Sequence, residues 1–246
     1  MRTWIKPGLP NKLTRLTLLP LLTLFFALMQ VLQSAQLASA QTAPGLYDPE
    51  PPANSAYVRI IHAANELPMN ILVDGKVRIK QLATTQASDY LVLPAGQHSI
   101  TLNLAGKPRL EFKLDCVGMH AYSLAFTTLK LDDKPIIFED KTIANKLKAT
   151  LTAYHLQPGL GPLDISTADG KLTVFSALAS GTQAVRAVNP ITVDLIATQN
   201  GSKQALAQAK MVLSQGGSYS LLLIPNNKGN LQAHASQNKI ERYTGK

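Results

Sequence analysis

Five histidines, one cysteine and a Ser-x-x-Lys motif are the residues through which this chain could do acid–base, metal or nucleophilic chemistry. Ser236-Gln237-Asn238-Lys239 has the spacing at which a lysine takes a serine proton, but it falls near the C-terminus in a polar stretch with no helical pattern behind it. It predicts no nucleophile. His62, His98, His120, His155 and His234 form no His-x-His or His-x-x-x-His pair and lack matching carboxylates, so no metal site is predicted. Cys116 continues the parity of Leu110, Phe112 and Leu114, which predicts an inert thiol in the core; as a lone cysteine it excludes an intrachain disulfide. A Gly-x-Ser-x-Gly elbow, a His-Glu-x-x-His pair, a phosphate-cradling glycine loop, and the Gly-Asp-Ser with late Asp-x-x-His of many exported acetyl esterases are all absent from the sequence. The expectation is no catalytic residue, no cofactor and no metal. Asn200-Gly201-Ser202 is formally a glycosylation sequon, but its Asn-Gly is explained by turn geometry. Ser88, Asp89 and Tyr90 are the candidate partner contacts, with a polar turn opening a strand as the plainer reading. The sole tryptophan, Trp4, lies in the N-terminal segment, so no exposed aromatic row suited to stacking on sugar rings is predicted.

The segments that carry these residues are three. Arg2, Lys6, Lys12 and Arg15 make a basic start, Leu16 to Leu32 is almost purely apolar, and Ala38-Ser39-Ala40 supplies small residues for cleavage. Residues 1–40 are therefore predicted to be a signal peptide cut after Ala40, which makes the protein periplasmic, with retention of the segment as an anchor as the competing outcome. No cysteine follows that would take a lipid. The full chain of 246 residues has 24 Lys and Arg against 15 Asp and Glu, a net charge of +9; without the four basic residues of the signal, 20 against 15 remain, or +5. The remaining basic residues are scattered, which argues against nucleic acid, and no later apolar run is long enough to span a membrane. Residues 41–56, with Pro44, Pro49, Pro51 and Pro52, read as an extended leader.

From Tyr57 onward the period is two. Val58 and Ile60 share a face; Asn70-Ile71-Leu72-Val73 runs into Asp74-Gly75, a hairpin signal. Ile100, Leu102 and Leu104 alternate with Ser99, Thr101 and Asn103, and Leu110, Phe112 and Leu114 with Glu111, Lys113 and Asp115, as in strands with one wet face. The pattern then returns: Asp169-Gly170-Lys171 follows Asp74-Gly75-Lys76 at an offset of 95, Ser218-Tyr219-Ser220-Leu221 echoes Ala121-Tyr122-Ser123-Leu124 at 97, and Leu151, Ala153 and His155 match Val58, Ile60 and His62 at 93. His62 and His155 thus close the first strand of each half as structural histidines. The predicted fold is all-β: two consecutive β-sandwiches from a tandem duplication, at 57–142 and 146–246, the second with a polar tail. Asn200-Gly201 is predicted to join a strand over 191–198 to one ending near Leu213, with 204–209 as strand in spite of its helical propensity.

Gly45-Leu46-Tyr47-Asp48-Pro49, Pro51-Pro52 and Ser55-Ala56-Tyr57-Val58-Arg59-Ile60, continued by Ser88-Asp89-Tyr90, Pro94-Ala95-Gly96 and Asn189-Pro190-Ile191-Thr192-Val193-Asp194-Leu195, resemble the AlgF family, periplasmic accessory proteins of alginate O-acetylation. The resemblance runs from about 45 to about 225. It implies a non-catalytic adaptor that links a membrane-bound O-acyltransferase to periplasmic acetyltransferase-like proteins, with the polysaccharide itself as a further partner and alginate or cellulose as the polymer. The departures are His62-Ala63-Ala64-Asn65 and a basic stretch from Lys130 to Lys148. The competing function is a polysaccharide- or surface-binding sandwich without a role in acetylation; a free-standing esterase or transferase would need Ser236.

Overall fold

The computed structural model describes residues 49–105, 109–130 and 133–244. The predicted signal segment and most of the predicted leader lie outside the described residues. Period-two alternation yields seventeen strands and no helix among those described. The first nine are β1 (Ala56–His62), β2 (Met69–Val73), β3 (Lys76–Leu82), β4 (Gln86–Ala87), β5 (Leu91–Leu93), β6 (Gly96–Leu104), β7 (Leu110–Cys116), β8 (Ala121–Phe126) and β9 (Ile136–Asp140). The remainder are β10 (Ala149–His155), β11 (Leu163–Thr167), β12 (Thr173–Leu178), β13 (Thr182–Val188), β14 (Ile191–Gln199), β15 (Ala205–Leu213), β16 (Ser218–Pro225) and β17 (Leu231–Gln237).

In the first half a sheet ordered β3-β2-β6-β7 faces one ordered β4-β1-β8-β9, with β5 also on β1. The second half repeats this as β12-β11-β14-β15 and β13-β10-β16-β17. The unusual element is repeated too: β1 runs parallel to β8, and β10 parallel to β16, inside otherwise antiparallel sheets. Only one edge differs. What is split into β4 and β5 in the first half is the single strand β13 in the second. The fold is all-β, two successive sandwiches of one topology.

Local chemistry is duplicated with the topology. Asp74 and Gly75 both take positive φ (50° and 77°), as a two-residue hairpin turn requires. Asn200-Gly201 joins β14 to β15 as predicted, and 205–209 is strand. The Tyr122 hydroxyl accepts the Val117 N–H at 3.3 Å, and the Tyr219 hydroxyl accepts that of Ser214 at 3.0 Å. His62 Nε2 meets the Leu67 carbonyl at 3.1 Å, and His155 Nε2 meets that of Gly161 at the same distance. The Gln157 N–H points at His155 Nδ1, so Nε2 carries the proton there. Both rings are fully buried and close their strands against a loop.

Each sandwich has its own core: Val58, Ile60, Ile71, Ile100, Leu102 and Leu124 in the first, Leu151, Leu163, Ile165, Leu195, Leu221 and Leu223 in the second. Cys116 is buried in the first core, and burial together with Asp115 and Asp74 pushes its thiol up to about 11. A third cluster, Ile61, Ala63, Ala125, Phe138, Tyr154, Leu156, Leu222 and Ile224, lies on the opposite faces of β1, β8, β9, β10 and β16. The inner sheets are thus buried on both faces and the two sandwiches pack back to back in a four-layer stack, within the compact unit 49–246. One predicted wet-face residue is corrected: Thr101 is 2% exposed, because its strand is central and flanked by Leu72 and Glu111.

The polar tail folds back. Beyond β17 the chain crosses to the first sandwich, where Ile240 bridges Tyr90 in parallel fashion. The Tyr90 N–H donates to the Lys239 carbonyl (2.8 Å), the Glu241 N–H to the Tyr90 carbonyl (2.9 Å), and the Val92 N–H to Glu241 Oε1 (2.8 Å); Glu241 also pairs with Arg78.

Candidate functional site

A dense polar network lies between the sandwiches and is centred on Arg59. On β1, Val58 and Ile60 face the first core, so Arg59 points with Ile61 into the contact between halves, where it is 1% exposed. A buried guanidinium is tolerated only when its donors are met. Nε donates to Ser123 Oγ (2.6 Å), Nη1 to Asn238 Oδ1 (2.6 Å), and Nη2 to both the Tyr154 hydroxyl (2.8 Å) and Ser220 Oγ (3.0 Å). Ser123 and Ser220 occupy the duplicated positions on β8 and β16.

The counter-charge is Asp140 at the end of β9, reached through hydroxyls. Tyr154 donates to Asp140 Oδ1, while Ser123 (2.6 Å) and Tyr90 (2.8 Å) donate to Oδ2. Tyr90 also places its ring face 4.6 Å from the Arg59 guanidinium carbon, a cation–π contact. Phe138 meets Tyr154 edge-on with centroids 5.2 Å apart. Burial drives both phenols far above their ordinary pKa, with Arg59 opposing and Asp140 adding to the rise, so each stays a donor. Burial by itself would weaken the charge on Arg59, but Tyr154, Tyr90 and Asp140 outweigh it and raise its pKa. The hydroxyls of Ser123 and Ser220 are occupied by this network, which ties the two halves together.

Beside the network a cleft of about 660 Å³ opens between the halves. Asp140, Tyr90 and Tyr154 line it, together with Tyr57, His120, Glu139 and Lys239. His120 Nδ1 meets Glu139 Oε1 at 2.8 Å and its ring stacks on Tyr122. Met119, 80% exposed, and Ile240, 56% exposed, also line it. The cleft thus presents charged groups, phenols and bare apolar side chains together. Among the described residues no cluster of three His, Cys, Asp or Glu is placed to hold a metal ion.

Of the three candidate contacts, Tyr90 joins this site, whereas Ser88 does not: its Oγ accepts the Ile60 N–H at 3.1 Å and donates to the Asp89 carbonyl, as a strand-opening turn does. Asp89 is exposed. Ser236 pairs across to Ser220 in the ladder β16–β17. Asn200 turns its side-chain amide onto both oxygens of Asp164, and those bonds hold that carboxyl below its usual range after the Ala177 N–H. Sequence reasoning missed Arg59, Asp140 and Tyr154. The available signal was an arginine on the same strand face as Ile61, which marks a strand buried on both sides.

Fold and site define a protein of two duplicated sandwiches joined back to back through a buried, charge-bearing polar layer. A family model described as alginate O-acetyl transferase AlgF matches residues 29–220, most of the chain, and the chain belongs to that family. Alginate biosynthesis protein AlgF of Pseudomonas putida is 29% identical over 192 residues, spanning 76% of this chain and 83% of the relative. That of Pseudomonas aeruginosa is 29% identical over 183 residues, 74% and 78% of the two chains. The solved C-terminal domain of AlgF from P. aeruginosa aligns over 38% of this chain and all of its own length, with 26% identity and a TM-score of 0.32. Among the described residues no helix is long and apolar enough to cross a membrane.

Proposed function

We propose that this protein is a non-catalytic periplasmic adaptor in the O-acetylation of an exported polysaccharide, alginate in the first instance. In this role it links a membrane-bound O-acyltransferase to exported acetyltransferase-like proteins. The observation that carries the reading is the reach of the family match, which runs through both sandwiches to residue 220 in β16. The back-to-back packing supports it, since a scaffold must hold two surfaces at a fixed separation. So does the use of the inter-sandwich hydroxyls and charges on one another. Deleting the gene is expected to lower the acetyl ester content of the exported polymer while leaving polymer yield intact, read by ester hydrolysis per sugar. Unchanged acetyl content would overturn the reading, and so would turnover of an acetyl ester by the purified protein.

A further inference from the structure

The duplicated sandwiches treat one edge differently. In the first, the edge formed by β4 and β5 turns the N–H groups of Tyr90 and Val92 away from β1, and this chain's own segment 239–241 takes both. The register on the parental strand fixes the counterpart: Leu91 lies opposite Val58 and Arg186 opposite Leu151, so Tyr90 corresponds to Val185 and Val92 to Ala187. Because the Thr150 N–H points to β16, Leu151 faces β13, and the amides of Gln183, Val185 and Ala187 face outward. Among the described residues β13 pairs with β10 alone, over seven registered positions. It contains no proline, bulge or lysine, and Arg186 is its one charged residue.

Alongside this edge the second sandwich gapes. An apolar cavity of about 350 Å³ reaches Leu151, Leu195 and Leu213 of the core, with Leu172 (57% exposed) and Ile191 (54% exposed) among its lining residues. Arg186 and Lys148 line it as well, the former with its guanidinium 6.0 Å from the Phe175 ring centre. In the first sandwich the added segment supplies Ile240 and a carboxylate, Glu241, that pairs with the basic Arg78.

We propose that β13 is a strand-addition site for a partner protein. The occupant is an extended segment whose backbone bonds the outward amides of Val185 and Ala187. Its apolar side chains cap the cavity, and an acidic residue meets Arg186 and Lys148. The chain's own C-terminal tail is already seated on the other edge, and the basic pair Arg186 and Lys148 suits an acidic segment of another protein. Strand addition draws affinity from main-chain bonds and specificity from alternate side chains. The inference deepens the adaptor reading by naming one of its contact surfaces.

The probe is a fluorescein-labelled peptide alternating valine with glutamate, titrated against the full chain by polarisation, with its valine–lysine counterpart as control. Saturable binding of the glutamate peptide alone is expected, weakened about tenfold or more in Val185→Pro, which removes an outward amide and no ladder bond. Arg186→Glu leaves every backbone group in place and is expected to weaken binding similarly. Absence of saturable binding to the wild type, or equal binding by wild type and both variants, overturns the proposal. So does self-association that Val185→Pro abolishes, because the occupant would then be a second copy. Polymer acetylation separates the two claims. If gene deletion lowers acetyl content and both variants restore it fully, the edge proposal fails and the adaptor reading stands; if deletion changes nothing, the adaptor reading fails and the peptide titration alone judges the edge.

Discussion

Arg59 is the residue on which most of the inter-sandwich polar layer depends. Its removal leaves the Asp140 carboxylate with hydroxyl partners but without the positive charge that balances it, and takes one donor each from Asn238 and Ser220, which keep their bond to one another. Arg59 reaches Asp140 only through hydroxyls and Asp140 is half-buried at the cleft, so the cost is that of the four hydrogen bonds lost from a charged donor, about 1 kcal/mol or more each. Arg59→Ala is therefore expected to lower unfolding stability by about 4 kcal/mol in urea titration. Arg59→Met combined with Asp140→Leu should recover much of that loss, since no buried charge then lacks a partner. Histidines supply a second residue-level effect. Burial depresses the pKa of His62 and of His155, so each is stable as the neutral ring and binds a proton more readily in the unfolded chain. That stability is present above about 6.5, the ordinary histidine value, and is lost as pH falls below it. His98 works the other way: burial would depress it, but the hydrogen bond to Asp74 at 2.7 Å outweighs burial and raises it, adding stability below about 6.5. His62 and His155 should therefore lower the midpoint of thermal unfolding between pH 7 and pH 5, as read by circular dichroism, with His98 opposing them. His62→Gln with His155→Gln should flatten that slope.

At the scale of the element, duplication makes paired predictions. Tyr122 and Tyr219 each accept a backbone N–H from the turn before their strand, so Tyr122→Phe and Tyr219→Phe should each cost about 1 kcal/mol, measured by denaturant unfolding. Unequal effects would show that the two turns have diverged. Strands of this kind are legible in the residues themselves. Ile100, Leu102 and Leu104 declare a half-buried strand, Asp74-Gly75 and Asn200-Gly201 declare hairpins, and Cys116 declares its burial by parity with Leu110 and Leu114. What escapes local pattern is pairing across long separations. Arg59 meets Ser123 sixty-four residues away, Tyr154 ninety-five away and Asn238 one hundred and seventy-nine away, and the period of two along a strand does not mark those partners. The polar tail escapes for the same reason: Lys239-Ile240-Glu241 has no strand pattern of its own and is ordered by the amides of Tyr90 and Val92. Tyr90 alone among the three candidate contacts reaches the site, through a ring and a hydroxyl that face inward while Asp89 faces water.

At the scale of the molecule, the two sandwiches share a buried apolar cluster and a buried charge network, and the C-terminal segment returns to clasp the first half. Those links are what make a tandem repeat one body, and a body of fixed geometry is what the proposed adaptor role would require. Independent sandwiches on a short connection would need none of them: Ile61, Phe138, Leu222 and Ile224 would stand in water, and Arg59 would have no need of Tyr154 or Asn238. The coupling has a thermodynamic signature, since each half loses its partner's face when the other unfolds. Differential scanning calorimetry of the protein at pH 7 tests this most directly. One cooperative transition, with calorimetric and van't Hoff enthalpies equal and a lowered midpoint in Arg59→Ala, is the predicted result; two resolved transitions, neither of them moved by Arg59→Ala, would contradict it.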